Sequence, residues 1–272
     1  MSWRVIAGKD VRDAGRSKAI WLLFGLLAAV SWGYAYGHEF LGESTFPSFL
    51  NGLAGVVAVV LPVVAILLGY KSVVHERTSG SLFLSLSFPH SRRDVVVGTF
   101  VGRAVVLLAP TLLALAVAGG IGAVRYGTDG AAMYPWFLFV SALYGVAFVG
   151  LAVGLSTATT VDRWITLGAF GGYLFVVTFW SGVNSLTLLI LHRFDARVLA
   201  DIPDWALLLR LAGPSESYYR LVRAGFDVPR AARYVGEGFP LYVDWWAAIA
   251  LLVAWSLVPV AVGYHRFRGA DL

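Results

Sequence analysis

Side chains able to do chemistry are sparse in this 272-residue sequence. There is no cysteine, which excludes disulfides, thiolate metal ligands and thiol catalysis. Methionine occurs only at Met1 and Met133, so a thioether relay for copper is missing as well. His38, His75, His90, His192 and His265 are scattered through loops and interfaces, without the spacing of a metal site. His75-Glu76 lacks the second histidine of a His-Glu-x-x-His motif. No Gly-x-x-x-x-Gly-Lys-Ser/Thr loop is present to cradle a nucleotide, and no Gly-x-Ser-x-Gly elbow to present a nucleophilic serine. The expectation is a chain with no catalytic residue, no metal site and no cofactor of its own.

The polar character that does exist gathers in one stretch between two apolar runs. It begins at Val74-His75-Glu76-Arg77-Thr78-Ser79-Gly80-Ser81-Leu82 and runs to Ser91-Arg92-Arg93-Asp94. Gly80 permits a break, and Ser81 to Leu86 mixes serine with leucine and phenylalanine. Ser91 stands where an N-cap belongs, with Asp94 three residues on close to a capping box. A short interfacial helix and then a capped helix start are expected here. An ordinary loop with basic residues beside a membrane span accounts for the same pattern.

The elements that position this stretch are membrane spans. The chain is 58% hydrophobic and 14% charged, with a mean hydropathy of +0.75. Soluble domains carry about 25% charged residues. The net charge of +5 could suggest nucleic acid, but the basic residues sit beside apolar runs, so anionic lipid headgroups are the simpler partner. Runs of spanning length occur at about 19–37, 48–70, 95–124, 135–156, 164–191 and 244–264. The first is too long for the core of a cleaved signal and reads as a retained anchor. Pro62 marks a kink in the second. Residues 71–94 and 192–243 are the two longer connections, and Trp205 to Leu211 and Tyr218 to Gly225 are candidate short helices of a gate.

Residues 1–18 form an amphipathic pattern with Trp3, Ile6, Ala7, Val11 and Ala14 on one side and Lys9, Arg12 and Arg16 on the other. Asp10 falls inside the apolar arc and weakens it; a basic tail without helix fits the same residues. The proposed inside segments hold 12 Lys and Arg, while the two short outside loops hold only Arg125. The expected fold is an all-α integral membrane protein of six transmembrane helices. An N-terminal interfacial helix (1–18) precedes the spanning domain (19–264) and a tail (265–272) follows, with both termini cytoplasmic.

Ionisable groups inside the spans are few. Arg103 lies about two turns into the third span and is expected to snorkel to the cytoplasmic surface. Asn184 is a polar interruption of the fifth. The lack of buried carboxylates counts against an ion-coupled secondary transporter. Gly98-x-x-x-Gly102, Gly150-x-x-x-Gly154 and Gly168-x-x-x-Gly172 signal close helix approach, within the chain or across a dimer seam.

Glu76-Arg77-Thr78-Ser79-Gly80-Ser81-Leu82, with Leu84 to Phe88 and Pro89-His90-Ser91-Arg92-Arg93-Asp94-Val95-Val96-Val97-Gly98, resembles the coupling loop of type-2 ABC exporter permeases. In that family an acidic residue, a glycine, a proline and a basic pair fall in this order. Pro214-Ser215-Glu216-Ser217-Tyr218-Tyr219 is similar to an element often found before the last span. Thr78-Ser79 and Phe83 stand where the family often carries charge. The resemblance implies one membrane half of an ATP-driven exporter in the cell membrane. Glu76, Arg77, Gly80, Ser81, Leu82, Arg92 and Arg93 would couple it to a separate ATPase subunit, present in two copies and holding ATP and magnesium. A second permease chain, identical or related, would complete the pathway. The family includes permeases linked to multicopper enzyme maturation, although the missing cysteines argue against copper binding by this chain. The alternative reading is a polytopic scaffold or sensor without transport. An intramembrane enzyme would need a polar cluster at membrane depth, and the sequence has none. Nothing in the spans names the substrate.

Overall fold

The computed structural model describes residues 3–42, 45–70, 72, 91–158, 162–200, 202–226, 229 and 240–269. Among them there is no strand, and six helical stretches are long and apolar enough to cross a membrane. The chain is an all-α integral membrane protein.

The first helix, α1 (Trp3–Arg16), breaks at Ser17, whose hydroxyl accepts the Ile20 amide and so caps α2 (Lys18–Gly37). Thr45 does the same for α3 (Phe46–Gly69), with Pro47 in the first turn, where a missing N–H costs nothing. The longest helix, α4 (Arg92–Tyr126), has 35 residues. At 1.5 Å per residue it is about 52 Å long, well beyond a hydrocarbon core of about 30 Å. One of its ends therefore projects from the membrane or lies along its surface.

Next, α5 (Tyr134–Ala158) returns through the bundle. The fifth crossing is a continuous rod of α6 (Asp162–Tyr173), a π-helical segment (Leu174–Phe179) and α7 (Trp180–Leu191). Two short helices follow, α8 (Asp204–Leu211) and α9 (Pro214–Gly225), and α10 (Trp245–Arg268) is the last crossing. In the core, α5 lies against α10, α3 and α4, while α1 and α2 cover another side of α4.

Small residues decide the closest approaches. A Cβ on Gly150 would collide with the Ser256 backbone of α10, and one on Gly154 with Pro259. This glycine pair therefore seats α5 on α10 within the chain. A Cβ on Gly98 would meet Ile6 and the Trp3 carbonyl, and one on Gly102 would meet Asp10, so the second pair seats α1 on α4. The third pair differs. Gly168 meets only the Leu155 side chain at ordinary contact distance, and Gly172 meets nothing.

Candidate functional site

Of the residues expected to form the coupling stretch, Glu76, Arg77, Gly80, Ser81 and Leu82 lie outside the described residues. Arg92 and Arg93, at its exit, are described and have different surroundings. Ser91 is the N-cap of α4: its hydroxyl accepts the Asp94 amide at 3.1 Å, and the Asp94 carboxylate accepts the Ser91 amide at 3.2 Å. This is the full capping box that the spacing predicts. Asp94 also accepts the Trp3 amide at 3.2 Å, an orphan donor at the start of α1.

Arg92 turns the other way. Its guanidinium donates to the carbonyls of Phe267 at 2.7 Å and Arg268 at 2.9 Å, and it lies over the Phe267 ring. These carbonyls end α10, where the negative end of the helix dipole lies, so a cation there satisfies both hydrogen bonding and the dipole. Beneath these contacts Val95, Val96 and Phe267 form a small buried core with Ile6, Val260 and Tyr264. The start of α4 is thus tied to α1 and to the end of α10 at once. Arg93, one residue on, is exposed.

The structure corrects the expectation for Arg103, and with it the reading of Asp10. Arg103 is not released to solvent: its Nε lies 3.2 Å from the Asp10 carboxylate, with side chains 22% and 12% exposed. Asp10 sits in the apolar arc of α1 because that arc faces α4, where an arginine waits for it. A half-buried cation keeps its charge most cheaply beside an anion.

At the opposite end, the described residues of 192–243 are more than a connection. Tyr218, Leu221 and Val222 of α9 are fully buried among the spans. Pro62 cannot donate to the Ala58 carbonyl, and the Tyr144 hydroxyl supplies that bond at 3.0 Å. With its proton used there, Tyr144 accepts from Ser215 at 3.0 Å. The Tyr144 and Tyr218 rings stack with centroids 4.6 Å apart, and Tyr218 hydrogen-bonds Ser141 at 3.3 Å. Burial drives the Tyr218 hydroxyl far above its usual range, so it stays neutral.

Further bonds hold α8 and α9 in place. Trp136 donates to the Leu221 carbonyl, Trp180 to Arg210 and Trp255 to Ala212. Arg220 reaches Asp244 at 2.8 Å and the Val243 carbonyl at 3.3 Å. Burial lowers the Arg220 pKa and Asp244 opposes that shift. A half-polar cavity of about 230 Å³ adjoins this network and the π-helical segment, with Ser181, Ser215, Glu216 and Tyr219 among its walls. Asn184, expected as a polar interruption, is buried and donates to the Trp180 carbonyl one turn back.

The residues of this network were not singled out as a site in the sequence. The signals were the Pro214 to Tyr219 element, which starts α9 with a proline in its first turn, and the apolar and aromatic content of Trp205 to Leu211 and Tyr218 to Gly225. Among the described residues no group of acidic or histidine side chains is arranged to hold a metal ion.

Two curated relatives align along nearly the whole chain. A probable ABC transporter permease protein NosY from Stutzerimonas stutzeri is 30% identical over 97% of this chain and 96% of its own. A protein of the same name from Pseudomonas aeruginosa is 28% identical over 97% and 96%. A family model described as ABC-2 family transporter protein matches residues 4–272, taking in the α1–α4–α10 junction, the six crossings and the α8–α9 insertion alike. The chain therefore belongs to the ABC-2 family, as a multi-pass permease of the cell membrane.

Proposed function

We propose that this permease is the membrane half of an ATP-driven exporter, with both termini in the cytoplasm and force entering through residues 76–94. The observation that carries the proposal is the junction at Ser91 to Asp94. Because Asp94 holds α1 and Arg92 holds the end of α10, a displacement of the segment before Ser91 is delivered to three helices together. Glu76, Arg77, Gly80, Ser81 and Leu82 form the surface for a separate ATPase subunit, and exposed Arg93 adds a cation beside it. Two ATPase copies carry the ATP and magnesium, and the permease does no nucleotide chemistry.

A second permease chain, identical or related, packs on the outer face of α6 and α7. There Leu167, Phe170, Leu174 and Ile190 are exposed, and Gly171 and Gly172 have open space before them. This face is as suited to a helix of another copy as to lipid tails.

The test is co-expression with an ABC ATPase subunit from the same genome, followed by purification and ATPase assay. The two are expected to co-purify. Glu76→Ala is expected to lower permease-stimulated ATPase activity about tenfold, the equivalent of one hydrogen bond to a charged group at about 1.5 kcal/mol. Membrane insertion is expected to be unchanged. Full stimulation in Glu76→Ala and in Gly80→Val would remove the coupling role, and absence of any ATPase partner would favour a scaffold.

A further inference from the structure

Between α1, α2 and the middle of α4 lies a cleft of about 380 Å³ that the junction does not use. Val11 and Gly15 of α1, Ile20 and Trp21 of α2, and Ala109 and Pro110 of α4 line it. The cleft exists because the chain turns a corner at Ser17 while Gly15 and Ala109 supply almost no side chain to fill it. The Trp21 indole donates to the Gly15 carbonyl at 3.0 Å and braces that corner. The walls are almost wholly hydrocarbon, so water inside would find too few hydrogen-bond partners. Val105 and Leu113 of its lining are exposed on a candidate span.

The chain corner beside the cleft has the opposite character. Arg12, Arg16 and Lys18 are all exposed around the α1–α2 corner. Asp13 is the one exposed carboxylate on this segment, since Asp10 is turned to Arg103. A hydrocarbon slot beside an exposed cationic corner matches a molecule with an apolar chain and an anionic head.

We propose that the cleft holds an acyl chain of an anionic phospholipid, with its phosphate among Arg12, Arg16 and Lys18. Such a lipid packs against the same seam through which α1 is seated on α4, so its presence strengthens that seating. The site rests on the membrane location of α2 and α4 and is independent of how ATP is coupled.

The experiment is native mass spectrometry of the full-length chain in detergent, with phosphatidylglycerol or phosphatidylcholine of identical acyl chains. The wild type is expected to retain phosphatidylglycerol at least about fivefold better, the effect of roughly 1 kcal/mol for a cation near an anionic lipid. The Arg12→Gln, Arg16→Gln, Lys18→Gln variant should retain the two lipids equally. Ala109→Phe, which places a ring in the cleft, should lower retention of both. Equal retention by the wild type overturns the proposal, as does an undiminished preference in the triple variant. It is also overturned if Ala109→Phe leaves lipid unchanged but shifts the monomer–dimer balance, because the occupant is then a second copy. The triple variant changes only exposed side chains, so the preference stays testable even if Ala109→Phe folds poorly.

Discussion

At the end of the bundle that gathers both termini, Ser91, Asp94 and Trp3 make hydrogen bonds that remain in contact with water, whereas at the far end Tyr144 and Tyr218 make theirs with no exposure at all. Both ends join three elements: α1, α4 and α10 at one, and α3, α5 and α9 at the other. The materials differ. Exposed charge-assisted bonds exchange readily with water and contribute little each. A buried hydroxyl network has no water to fall back on, and breaking it leaves polar groups stranded. The terminal junction can therefore loosen and re-form at small cost, and the far end holds its geometry. That is a suitable division for a protein proposed to receive force at one end.

The largest effect should come from the far end. Tyr218→Ala is expected to lower unfolding stability by about 3 kcal/mol, through the cavity left in a fully buried site, while Tyr218→Phe should cost about 1 kcal/mol. Thermal unfolding in detergent measures both. If Tyr218→Ala cost no more than a change at the exposed cap, the contrast between the ends would collapse.

An intermediate effect is expected from Arg220→Met. The arginine is buried, but Asp244 is 39% exposed and can rehydrate, so the loss should be about 2 kcal/mol, below that of a fully buried pair. Added salt should change it little, because the guanidinium is shielded from the solution.

The smallest effect belongs to the terminal end. Ser91→Ala is expected to cost about 1 kcal/mol of unfolding stability, the usual worth of an N-cap hydroxyl, because water can take over the exposed Asp94 amide. A loss as large as that of Tyr218→Ala would blur the comparison.

Legibility in the sequence followed the distance between partners. Ser91 and Asp94 are three residues apart, and their capping box was readable from spacing. The proline inside the second span was readable as well, but the hydroxyl that satisfies the carbonyl it leaves free comes from Tyr144, in another span. Asp10 looked like a flaw in an amphipathic helix because its partner lies 93 residues away. The two short helices before the last span were visible in their apolar and aromatic content, but their burial was not. The π-helical segment at Leu174–Phe179 had no sequence signal, as its residues read like the rest of an apolar span.

By itself the sequence determined that the chain has six stretches able to cross a membrane and where α4 is capped. Each rests on composition or on residues within one helical turn, and such local terms are complete before any two helices meet. Only the tertiary structure decided which glycine pair faced a neighbour, which arginine was used within the fold and which stayed exposed, and that a polar connection was plugged into the core. Those depend on the approach of surfaces far apart in the chain, where a small residue or an orphan carbonyl acquires meaning only from what is brought against it.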